Sequence, residues 1–127
     1  MYADAKFSDL VGKTLVAVTK NKLDDELTFE CSDGTRYKQH HVQNCCEGVS
    51  IDDICGDLAD LIGSPVLVAE ESTSENKNPE GVPVPEYQDS FTWTFYKIDT
   101  AKGGVTIRWY GASNGYYSES VSFDRVK

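Results

Sequence analysis

The sequence predicts an α+β fold, mainly antiparallel β-sheet of the meander type, with one short helix near residues 57–62. Three observations carry that prediction. Leu27, Phe29 and Cys31 alternate with Thr28, Glu30 and Ser32, the period of two expected of a strand with one buried face. Phe91, Trp93 and Phe95, and then Val105, Ile107 and Trp109, repeat the pattern towards the C-terminus. Leu58, Leu61 and Ile62 instead fall at the i, i+3, i+4 spacing of a helix face. A chain of 127 residues has the length of one domain, 1–127, large enough to bury a core without staples.

The elements follow in chain order. A brief turn at Ser8–Val11 precedes an apolar run, Leu15 to Val18, that opens a strand. The alternating run 27–32 ends at Asp33-Gly34 and leads into a second extended stretch, Thr35 to Val42. Asp-Gly between two such runs is a hairpin signal, because glycine supplies the positive φ of a tight turn. Gly12-Lys13 and Asp24-Asp25 mark the other ends of this opening meander. Asp57 then caps the short helix, Gly63 stops it, and Pro65 precedes a strand at Val66–Ala69. Residues 72–90 hold three of the four prolines with little apolar periodicity and read as one long loop. Lys102-Gly103-Gly104 joins the two aromatic-rich runs. Ser113-Asn114-Gly115 turns into Tyr116–Phe123, completing a three-stranded meander.

Charge narrows the function classes. Twelve lysines and arginines against 21 aspartates and glutamates leave a net charge of −9. Direct binding to nucleic acid or an anionic membrane needs a clustered positive surface, which this balance opposes. No glycine-rich phosphate loop and no apolar membrane-spanning stretch is present, and the first residues lack a secretory apolar core. The expected setting is the cytoplasm, with Cys31, Cys45, Cys46 and Cys55 as reduced thiols.

Two groups of residues are candidates for chemistry. If the aromatic runs share a buried face, the opposite face carries Thr92, Thr94, Tyr96, Thr106, Arg108, Tyr110, Tyr116, Ser118, Ser120 and Ser122. Hydroxyls donate and accept, tyrosine rings stack, and arginine binds anions bidentately. Thr94, Tyr96, Arg108, Tyr110, Tyr116 and Ser118 therefore form a candidate site for a small anionic molecule. The plainer reading is a solvated sheet face rich in good β-formers. Glu119, placed among Tyr117, Val121 and Phe123, is expected at an exposed edge near the turn. The second group is His40, His41, Cys45, Cys46 and Cys55 beside Asp52, Asp53, Asp57 and Asp60. Structural zinc sites usually present spaced cysteine pairs, and here the only pair is adjacent, so packing is expected in place of metal binding. No acid, base and nucleophile set specifies a reaction, and no cofactor is implied.

The segments His41-x-x-x-Cys45-Cys46-Glu47, Ile51-Asp52-Asp53-Ile54-Cys55-Gly56-Asp57-Leu58, Asp60-Leu61-Ile62-Gly63-Ser64-Pro65, Phe91 to Lys97, and Thr106 to Ser120 carry a resemblance. Over residues 8 to 123 the chain resembles a small family of uncharacterised proteins of bacteriophages and prophage-bearing bacterial genomes. The resemblance implies a phage-type protein inside its host that acts by binding. Two expectations follow. One is a non-enzymatic protein that sequesters a small nucleotide-like signal of host defence. The alternative is an acidic protein–protein inhibitor of a host defence or nucleic-acid-processing protein.

Overall fold

Residues 2–126 are described by a computed structural model. Five strands, β1 (Tyr2–Asp4), β2 (Leu15–Lys20), β3 (Glu26–Cys31), β4 (Arg36–His40) and β9 (Ser122–Val126), form one antiparallel sheet in the order β1-β9-β4-β3-β2. The other sheet, in the order β5-β8-β7-β6, contains β5 (Gly48–Cys55), β6 (Val68–Glu75), β7 (Ser90–Thr100) and β8 (Gly103–Ser113). Among the described residues no helix is long and apolar enough to cross a membrane.

The opening meander forms through its alternation. Leu27, Phe29 and Cys31 face the core, while Asp33-Gly34 turns the chain, with Gly34 at φ +88°. Phe29 lies opposite Tyr37 and Leu27 opposite Gln39, so the inward positions of β3 and β4 coincide. Phe123 of β9 continues that face beside Gln39. The other sheet contributes Val49, Ile51, Ala69, Tyr96, Ile98, Val105, Ile107 and Trp109 to the same apolar cluster. Phe7, from a 3₁₀ turn at Phe7–Leu10, sets its ring edge-on to Phe29, Tyr96 and Phe123 and so joins the two sheets. Trp109 Nε1 donates to Gln39 Oε1 at 2.9 Å, a buried polar link from one sheet to the other.

Four expectations from the sequence are corrected. The expected helix near 57–62 is a single 3₁₀ turn, Leu58–Leu61, with Asp57 Oδ1 accepting from the Ala59 amide. Flanking Gly56 and Gly63, with Pro65 beyond, leave too few residues to propagate an α-helix. The fold is therefore β-rich, and short 3₁₀ turns replace the α component. The strand expected at Val66–Ala69 is β6, which runs on to Glu75, so the long connection is 76–89 and not 72–90. Residues 48–55, to which the sequence reading assigns no strand, form strand β5.

The last correction concerns residues 116–123. They do not add a third strand beside β7 and β8, because β5 already pairs along the free side of β8 from Gly48 to Cys55. The chain leaves that sheet and inserts β9 between β4 and β1.

Trp109→Ala should lower stability by about 3–5 kcal/mol, by emptying core volume and orphaning the Gln39 carbonyl oxygen. Thr106→Ala, on the outer face of the same strand, should stay within about 0.5 kcal/mol. Urea midpoints of the two variants check the contrast.

Candidate functional site

The register of β7 and β8 decides which side chains meet. Thr100 pairs with Gly103, so the turn is the two residues Ala101-Lys102, one fewer than expected from Lys102-Gly103-Gly104. That parity sets Trp93 opposite Tyr110 and Phe95 opposite Arg108, while Thr94 faces Trp109 and Tyr96 faces Ile107. Directly opposed residues share a face. Thr94 and Tyr96 consequently lie on the core side, and Arg108 and Tyr110 lie on the outer side with Phe91, Trp93 and Phe95.

The sequence-predicted site is thus divided by the sheet. Arg108 donates from Nε to Asp52 Oδ2 at 2.8 Å, brings Nη2 within 2.6 Å of it, and lies over the Trp93 ring at 5.6 Å. Tyr110 packs on Trp93 at 4.5 Å and accepts from Gln88 Nε2 at 2.8 Å. Tyr116, 87% exposed, sits in the turn after β8. Thr94 and Ser118 are brought together, on the wall of a groove.

Trp93 is only 1% exposed although it lies on the outer face, because the 76–89 connection covers it. Asn78 Oδ1 accepts from Trp93 Nε1 at 3.0 Å, and the Asn78 and Gln88 amides bond each other reciprocally at 2.9 and 3.1 Å. Asn76 exchanges two bonds with Phe91, through its backbone amide and its side-chain oxygen. The long connection is a strap latched by three polar side chains.

The groove has a volume of about 470 Å³. Glu71, Thr73 and Glu75 of β6 stand opposite Tyr96, Thr94 and Thr92 of β7. The 117–121 segment closes the far wall by crossing the sheet above Gly111, where an added Cβ would come within 2.6 Å of the Glu119 carbonyl oxygen. Glycine is therefore required there by close approach. Glu119, expected at an exposed edge, is half-buried and paired: Thr92 Oγ1 donates to Oε1 at 2.8 Å and Ser113 Oγ to Oε2 at 2.5 Å. Three carboxylates, Glu71, Glu75 and Glu119, thus line the groove, and no cationic side chain does. Beyond Glu71 and Val121 it continues into a second depression that carries Lys6 and Glu70.

Tyr96 lies under the Glu71 end. Its hydroxyl is buried with no hydrogen-bond partner. Burial, and then the Glu71 carboxylate, raise the phenol far above its ordinary value, so the proton stays on the oxygen. Thr73 and Glu75 escaped the sequence reading because 72–90 was expected to be a loop, and Glu71 because it lay between that loop and the strand expected at Val66–Ala69. The signal available was two acids four residues apart, which is one face of a strand.

The His/Cys group does not converge. His40 bonds Asp124 at 2.7 Å, Cys31 is in the core, and Cys55 is exposed elsewhere. His41 lies 2.7 Å from both Glu47 and the Ser120 carbonyl, which ties the 41–47 turn to the segment walling the groove. Within that turn the sulfurs of the adjacent Cys45 and Cys46 touch, and the backbone folds tightly there around the Glu47 carboxylate. Among the described residues no three His, Cys, Asp or Glu side chains are arranged to hold a metal ion.

The amide of Cys45, with His41 and the amide of Asn44, holds the Glu47 carboxyl down at about 2, against an ordinary 4.5. A carboxyl depressed on folding adds stability that is complete above its unfolded pKa and is lost as pH falls through the folded one. The melting-temperature gap between the parent protein and Glu47→Gln should be widest above pH ~5 and should close towards pH ~2. Asn78→Ala should unlatch the strap, red-shift Trp93 emission and speed proteolysis within 79–87 by about 5-fold, as loss of roughly 1 kcal/mol of hydrogen bonding implies.

Neither the curated proteins nor the solved structures contain a match to the chain. A family model described as "Domain of unknown function (DUF7448)" matches residues 8–123. With nearly its whole length matched, the chain belongs to the DUF7448 family.

Proposed function

We propose that this is a binding protein whose acidic groove receives a basic segment of a partner protein. This is the acidic protein–protein form of the two functions expected from the sequence. The observation that carries it is the groove itself: Glu71, Glu75 and Glu119 line it with no cation among them. A net charge of −9 supports the same choice, since it speeds encounter with a basic partner and repels anions. Sequestration of a nucleotide-like anion lacks comparable support, because Arg108, the cation it would use, is engaged by Asp52. If the chain is of phage type, as its resemblance implies, the partner is a host protein met in the cytoplasm.

A lysine decapeptide serves as the probe, titrated at low and physiological salt. Glu71→Gln/Glu75→Gln should weaken its binding by about 5-fold, the combined size of two partly exposed ion pairs. Glu80→Gln/Glu86→Gln, an equal charge change on the exposed strap, should leave binding unchanged. Equal effects of the two double variants would reduce the attraction to net charge and overturn the groove as the site.

A further inference from the structure

Strand β6 closes one edge of its sheet. On one side it pairs with β7 from Val68 to Glu75, and among the described residues no backbone hydrogen bond leaves its other side. Its phase follows from one bond. The Asn76 amide donates to the Phe91 carbonyl at 2.8 Å, on the same register that pairs Ser74 with Trp93. Antiparallel ladders alternate between residues that bond the neighbour and residues that turn their N–H and C=O away. Glu70, Ser72 and Ser74 therefore bond β7, whereas Glu71, Thr73 and Glu75 present their amides and carbonyls outward. Those three also line the groove, so its acidic wall and the open backbone edge are one surface. Glu70, Glu71, Ser72, Thr73 and Glu75 are all exposed.

We propose that the partner's basic segment binds as an added strand on β6, with two Lys or Arg side chains four residues apart set against Glu71 and Glu75. The inference rests on the groove reading above and specifies how the groove is filled. Strands pair about 4.8 Å apart, which puts a side chain of the incoming strand directly beside each of Glu71, Thr73 and Glu75. Opposite charges at the outer two positions are favourable, and a β-branched or hydroxyl residue suits the middle one. Because the pattern reads the same in both directions, it serves a parallel or an antiparallel addition.

Two further features bear on the occupant. The Tyr96 hydroxyl, buried and unpartnered at the Glu71 end, is a spare donor beneath the groove. A second copy of the chain is disfavoured, since antiparallel pairing of β6 with itself about Thr73 would set Glu71 against the Glu75 of the other copy, and Glu75 against its Glu71.

The test uses the full chain and the peptide acetyl-TKVTVKT-amide, its acidic analogue acetyl-TEVTVET-amide, and the basic peptide N-methylated at its three central residues. Calorimetry should show the basic peptide binding at least 10-fold more tightly than either of the others. Amide exchange at Glu71, Thr73 and Glu75 should slow by 10-fold or more in its presence. Equal binding of the N-methylated peptide, or binding without protection of those amides, would overturn strand addition while leaving the electrostatic groove intact. Absence of binding by the basic peptide would overturn strand addition as well, and the decapeptide titration then decides the groove separately. A concentration-dependent dimer with the same amides protected would assign the edge to a second copy and would also overturn the proposal.

Discussion

The parity of one turn governs most of this structure. Ala101-Lys102 joins β7 to β8 with two residues, and every opposed pair along the eleven-residue strands follows from that number. The turn is held from outside. Thr100 Oγ1 donates to the Asp60 carbonyl at 2.6 Å and Lys102 Nζ to the Ile62 carbonyl at 2.6 Å, so the 3₁₀ turn at 58–61 braces the hairpin tip. One residue more would exchange the faces of one strand relative to the other, placing Trp93 with Trp109 and Arg108 with Tyr96.

With the observed parity, the long β7–β8 ribbon has aromatic residues on both faces. The inner set meets the other sheet, where Trp109 finds Gln39 and Tyr96 finds Phe7. The outer set has no second sheet to meet. Its indole and phenol need both cover and hydrogen-bond partners, and the strap supplies these through Asn78 and Gln88. The proline-rich stretch is held against the sheet by these bonds, although its own sequence offers few apolar anchors.

The groove arises where the two sheets cease to overlap. Towards its open end the inner face of the β6–β7 pair changes from Tyr96 and Ile98 to Thr94, Thr92 and Glu75, and the 117–121 segment takes over from the opposing sheet. Gly111 lets that segment approach closely enough for Glu119 to reach Thr92 and Ser113. A carboxylate on an otherwise apolar alternation is satisfied by hydroxyls from two strands, and it joins two others on a surface free of cations.

Local rules determined a good part of this protein. Alternation at Leu27, Phe29 and Cys31, the Asp33-Gly34 turn, and extended runs around 91–96 and 105–110 could be read directly, because strand period and turn chemistry depend on neighbours in the chain. The acidic balance was equally plain. Tertiary structure alone decided which sheet received residues 122–126, since that turned on β5 having taken the free side of β8. It decided that Thr94 and Arg108 lie on opposite faces, since a single residue in a turn exchanges faces over a whole strand. It also decided that Glu119, more than forty residues on in the chain, shares one groove with Glu71 and Glu75 beside an open strand edge. Alternation specifies that a strand has two faces; only pairing with distant strands specifies what each face meets.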